Sequence, residues 1–126
     1  SKNFSKSEFE CSCNCDMPND VLDNIKKVAE QLQILRDKTG KPITVNSAYR
    51  CVEHNKAIGG VSSSQHILGK AADIVVKGLE PSITFDLIEL FINDSEMLQG
   101  GLGSYNTFCH YDIGHDGLKR RWDYRK

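Results

Sequence analysis

The chain has 126 residues, enough for one compact domain and too few for two. Apolar residues make up 39% of it, so a core can form, and a formal net charge of -1 with Lys and Arg spread along the chain excludes the basic stripe of a nucleic-acid binder. No apolar run is long enough to cross a bilayer and the first residues carry no apolar signal region, so the expectation is a soluble chain with no membrane span and no signal peptide.

Residues 1–16 are polar apart from Phe4 and Phe9, which can pin the segment to the body. The five cysteines are Cys11, Cys13, Cys15, Cys51 and Cys109, an odd count that leaves at least one thiol outside any disulfide of a monomer. Cys11, Cys13 and Cys15 alternate, whereas common structural zinc knuckles place about two to four residues between paired cysteines. Reduced thiols, or one disulfide joining the N-terminal segment to Cys51, are therefore expected ahead of a second metal site.

Residues 18–38 are predicted to form an amphipathic helix, because Val21, Leu22, Ile25, Val28, Ala29, Leu32 and Leu35 recur at helical spacing; Gly40 ends it. Residues 42–46, with β-branched Ile43, Thr44 and Val45, predict a short strand. A short helix over 53–57 precedes the Gly59-Gly60 turn and three serines. Residues 70–76 predict a buried strand. Pro81 opens a second helix, a favoured first-turn position, with Ile83, Leu87, Ile88, Leu90 and Phe91 as its expected buried face. Residues 100–105 and 107–113 predict two strands joined by a turn at Asn106, and 120–124 a last edge strand. The expected architecture is α+β, a single domain over 1–126 with helices on a mainly antiparallel sheet.

The chemistry concentrates in two segments. In Ser64-Gln65-His66-Ile67-Leu68-Gly69-Lys70-Ala71-Ala72-Asp73, an aspartate follows the histidine by seven residues and lies inside an apolar strand. A buried carboxylate is costly unless paired. A metal would pair it, and imidazole plus carboxylate is a normal zinc set; backbone amides would also serve. In Phe108-Cys109-His110-Tyr111-Asp112-Ile113-Gly114-His115, strand alternation puts His110 and Asp112 on one face. That face is either a metal site or a polar edge. Together the segments offer three ligands of the kind a catalytic zinc uses, with a fourth position for water whose pKa the metal lowers to about 7. Arg50, in Asn46-Ser47-Ala48-Tyr49-Arg50-Cys51, precedes the metal loop; it can grip a substrate carboxylate in a two-pronged contact or form a surface salt bridge.

Phe9-Glu10-Cys11, the run 43–51, His54-Asn55, Gly59-Gly60, the runs 64–73, 100–105 and 108–112, and Arg121-Trp122 together resemble the M15 zinc peptidases. These include D-alanyl-D-alanine carboxypeptidases, murein endopeptidases and phage endolysins, and the small murein endopeptidases look like the nearest branch. The resemblance implies a fold like that of the Hedgehog signalling domain. It implies Zn2+ held by His66, Asp73 and His110, with Arg50 on the substrate and Ser64 orienting the loop. Many members carry a carboxylate three residues before the third ligand; here that position is Thr107. Asp112 is then the candidate general base, or else it holds a ligand histidine in place. His115 is the alternative third ligand and the next proton carrier to consider. His110 is preferred because Phe108-Cys109 suits a buried strand feeding a ligand.

The function this implies is hydrolysis of a peptide bond involving a D-amino acid in the stem or cross-link peptides of peptidoglycan, by a monomer at the cell wall or periplasm or associated with a phage. The rival is a catalytically inactive zinc-containing binding or phage structural module of the same fold.

Overall fold

The computed structural model describes residues 2–11, 15–60, 64–114 and 117–125. After a 3-10 turn at Lys6–Phe9, helix α1 spans Asn19–Thr39. It buries Val21, Ile25, Val28, Ala29, Leu32 and Leu35, one stripe at three- and four-residue spacing. It stops at Gly40, whose φ of 66° is the left-handed cap that only glycine adopts without strain, with the Gly40 N–H donating to the Arg36 carbonyl. Strand β1 (Ile43–Ser47) follows, then helix α2 (Val52–Ala57), strand β2 (Ala71–Val76) and helix α3 (Pro81–Asn93). Strands β3 (Gly101–Ser104), β4 (Cys109–Asp112) and β5 (Arg120–Asp123) complete the chain.

The five strands form one sheet in the order β1-β2-β4-β3-β5. Every neighbouring pair is antiparallel except β3 with β5, which is parallel. Strand β4 ends beside the start of β3, and β5 sets out from that same end, so it must run along β3 in the same direction. Helices α1 and α3 and the core occupy the face that carries Ala72, Ile74, Leu102, Cys109 and Tyr111. Phe4 and Phe9 join this core as an edge-to-face pair, so the N-terminal segment is pinned as expected.

Helix α3 departs from expectation. Its buried residues are Thr84, Ile88 and Ile92, one residue per turn at a spacing of four, while Ile83 and Leu90 are exposed. Apolar residues lie all round this helix, so periodicity alone could not select the packed stripe. Among the described residues no helix is long and apolar enough to cross a membrane.

Candidate metal centre

Residues that face one another across adjacent strands lie in a row, and one such row holds the chemistry. Ser47 of β1 faces Asp73 of β2, Asp73 faces His110 of β4, His110 faces Gly103 of β3, and Gly103 faces Trp122 of β5. An irregularity in β1 between Val45 and Ser47 brings Ser47 into this register. All five side-chain positions share the sheet face opposite α1 and α3. His66 joins from the loop before β2. Its Nδ1–H donates to the Ala48 carbonyl at 2.6 Å, and its own carbonyl accepts the Arg50 N–H at 3.1 Å. A carbonyl can only accept, so Nδ1 carries a proton, and Nε2 is the nitrogen turned toward Asp73 and available to a metal. Ser64 helps to set the loop, its Oγ accepting the His66 N–H at 3.2 Å.

The Nε2 of His66 lies 3.3 Å from one Asp73 oxygen, and the Nδ1 of His110 lies 2.9 Å from the other. The three donors lie within 4.8 Å of one another. A tetrahedral ion with arms of about 2.0–2.1 Å spaces its ligands by roughly 3.3 Å, so this set is compatible with a single divalent metal. Burial works against an ionised Asp73, but hydrogen bonds from His110 and then His66 outweigh it and hold the carboxyl well below the usual range. The group is therefore anionic and ready to ligate.

Behind this set stands Asp112. Its Oδ2 accepts from His110 Nε2 at 2.7 Å, its Oδ1 accepts from the Gly101 N–H at 2.9 Å, and Arg120 donates to that same Oδ1. The side chain is fully buried and does not line the cleft. Burial opposes its charge, yet the bond from His110 and the other donors keep its carboxyl below the ordinary value. His110 in turn is desolvated, but its two carboxylate partners raise it. The structure thus brings His110 and Asp112 together on one face, as alternation predicts, but places Asp112 behind the imidazole, where both its oxygens are occupied. Thr107 is exposed in the bend between β3 and β4 and does not line the cleft. His115 and Cys13 lie outside the described residues. Cys109 faces the core, and burial pushes its thiol up to about 12, so it stays protonated.

The donors open into a cleft of about 440 Å³, which Arg50, Gln65, Tyr105, Phe108, Arg120 and Trp122 help to line. The Nε of Arg50 is buried with no hydrogen-bond partner among the described residues. Sequence reasoning missed Tyr105, Arg120 and Trp122 as parts of this site. Their signal is the two glycines of β3. A Cβ on Gly103 would stand 2.2 Å from the Trp122 indole nitrogen, and one on Gly101 would stand 2.2 Å from Asp112 Oδ2. These gaps let Trp122 lean to within 5.1 Å of the His110 ring and let Arg120 reach Asp112. Trp122 Nε1 also donates to the Tyr105 hydroxyl at 3.0 Å.

Fold and site define a small α+β domain with a candidate metal centre on the open face of its sheet. The pattern that defines the Peptidase M15 family matches residues 2–112, and the chain belongs to that family. A 45-residue stretch is 49% identical to the zinc D-Ala-D-Ala carboxypeptidase of Streptomyces albus G. That match covers 35% of this chain and 18% of the other protein, so the likeness spans a small part of the relative's length.

Proposed function

We propose that this chain is a zinc peptidase that hydrolyses a peptide bond involving a D-amino acid in the stem or cross-link peptides of bacterial peptidoglycan. The observation that carries this reading is the convergence of two imidazoles and a carboxylate at the wall of a cleft that also holds a desolvated guanidinium. Family membership and the partial likeness to a zinc D-Ala-D-Ala carboxypeptidase support it.

His66 through Nε2, Asp73 through its carboxylate and His110 through Nδ1 would hold the ion. Bound zinc supplies a Lewis acid that polarises a carbonyl and makes water more acidic. The Ala48 carbonyl and Asp112 fix the two imidazoles through their other ring nitrogens, which sets both tautomers and aims both lone pairs. Asp112 is a positioning residue in this reading. Arg50 grips a carboxylate of the substrate: burial lowers its pKa somewhat while Asp73 opposes that shift, and the guanidinium stays charged. Burial raises the Tyr105 phenol above its ordinary value, so it remains a hydrogen-bond donor at neutral pH and can steady a substrate carbonyl.

One observation favours a second reading. Asp73 is the only carboxylate among the described residues that lines the cleft, so a zinc-holding binding module without turnover is the rival. The separating experiment is digestion of purified peptidoglycan, with products identified by mass spectrometry. Cleavage abolished by a chelator and restored by zinc supports the peptidase; intact muropeptides with zinc-loaded protein support the binding module.

A further inference from the structure

Three thiols meet beside the Arg50 loop. Cys11 is buried, Cys15 and Cys51 are half-buried, and their sulfur atoms all lie within 4.8 Å of one another. Cys11 Sγ and Cys51 Sγ are 3.9 Å apart. A tetrahedral zinc with sulfur arms of about 2.3 Å has ligands roughly 3.8 Å apart, so the spacing suits two thiolates sharing one ion. A disulfide needs sulfurs at about 2.05 Å. The sequence spacing agrees once the right pair is chosen. Nearest neighbours along the chain have one residue between them, but Cys11 and Cys15 have three, within the range of about two to four seen in structural zinc sites.

The backbone around the sulfurs is arranged as metal-held thiolates need. The Cys51 N–H donates to Cys11 Sγ at 3.4 Å, and the His54 N–H donates to Cys51 Sγ at 3.4 Å. Such outer bonds orient a ligand and satisfy the lone pairs the metal does not use. The Tyr49 N–H donates to the Phe9 carbonyl at 3.0 Å, so the two segments already run side by side.

We propose that Cys11, Cys15 and Cys51 bind a second zinc ion, a structural one that fastens the N-terminal segment to the loop carrying Arg50. Arg50 is the residue immediately before Cys51, so the clamp would fix the approach of the guanidinium to the cleft. The inference stands apart from the peptidase reading, since it uses neither the cleft nor its donors.

The test is cobalt substitution of the full chain, because a sulfur-to-cobalt charge-transfer band in the near ultraviolet requires thiolate ligands and the His66, Asp73 and His110 set has none. The band is expected in the native sequence, unchanged in His66→Ala, and lost in Cys15→Ser and Cys51→Ser. Metal analysis is expected to give two zinc ions per chain, falling to one in Cys15→Ser. Should the serine variants not fold, the native and His66→Ala proteins decide alone. Absence of the band from both overturns the proposal. So does alkylation of the denatured, chelator-treated chain without reductant that leaves two of the five cysteines unlabelled, which would identify a disulfide instead.

Discussion

The Nε2 of His110 sits 2.7 Å from Oδ2 of Asp112, two residues along the same strand, and that contact leaves only Nδ1 of the ring facing Asp73. A carboxylate in this position raises the basicity of a ligand histidine and freezes its rotation. Asp112→Asn is therefore expected to weaken zinc binding by roughly 10–100-fold, with turnover recovering at saturating zinc. Zinc titration followed by kinetics on the variant checks this. Full zinc content with turnover absent at any zinc concentration would instead make Asp112 the proton carrier.

Arg50→Lys should leave the fold intact and lower kcat/KM. The planar guanidinium offers two parallel N–H donors to a carboxylate, and an ammonium offers one point charge. The loss of one charged hydrogen bond, about 1.5–3 kcal/mol, corresponds to roughly 10–100-fold in kcat/KM. Unaltered kinetics in the lysine variant would reduce Arg50 to a packing role.

Gly103→Ala should displace the only tryptophan. The new methyl would stand 2.2 Å from Trp122 Nε1, and the indole would have to leave both the His110 ring and the Tyr105 hydroxyl. Overpacking of this kind costs about 1–3 kcal/mol, and a shift in tryptophan fluorescence should accompany a Tm lower by several degrees. Unchanged emission and Tm would mean that the cleft wall is free to adjust.

On the opposite face of β5, Arg121 grips Glu89 of α3 in a two-pronged contact at 2.6 and 2.9 Å and also donates to the Gly100 carbonyl. This fastens the edge strand to the helix layer. Arg121→Ala should cost about 1–2 kcal/mol, a modest figure because the pair is partly exposed. The hydrogen bond from Arg121 holds the Glu89 carboxyl below its ordinary value. A depressed carboxyl stabilises the fold above its unfolded pKa of about 4.3, and the contribution is lost as pH falls toward the folded value. Denaturation of the native and alanine proteins should thus converge on acidification; a constant gap down to acid pH would contradict this origin.

Local signals made much of this legible in the sequence. The stripe of α1, the β-branched run of β1 and the apolar strand around Asp73 follow from periodicities that need no partner. Motif spacing leaves His66, Asp73 and His110 open between a metal site and ordinary polar positions; the resemblance to the M15 peptidases is what groups them, and the structure brings their donor atoms together. What escaped depends on register between strands distant in the chain. Arg120 and Trp122 join the cleft where Gly101 and Gly103 sit in the rows that link β4 to β5, and Trp122 Nε1 donates to Tyr105. The cysteine cluster is not legible in the one-residue spacing of Cys11, Cys13 and Cys15, because folding brings Cys11 and Cys15 to Cys51, 36 or more residues away in the chain. The exposure of Ile83 and Leu90 reflects a helix apolar on several sides, where packing against the sheet chooses the face.

Anomalous diffraction at the zinc absorption edge, on crystals of the zinc-loaded full chain, tests the central claim most directly. The account predicts a strong peak in the cleft, bonded to His66 Nε2, an Asp73 oxygen and His110 Nδ1 at about 2.0–2.2 Å, with Asp112 on the far side of the His110 ring. A peak that uses His115 in place of His110, or a cleft with no zinc at His66, would contradict it.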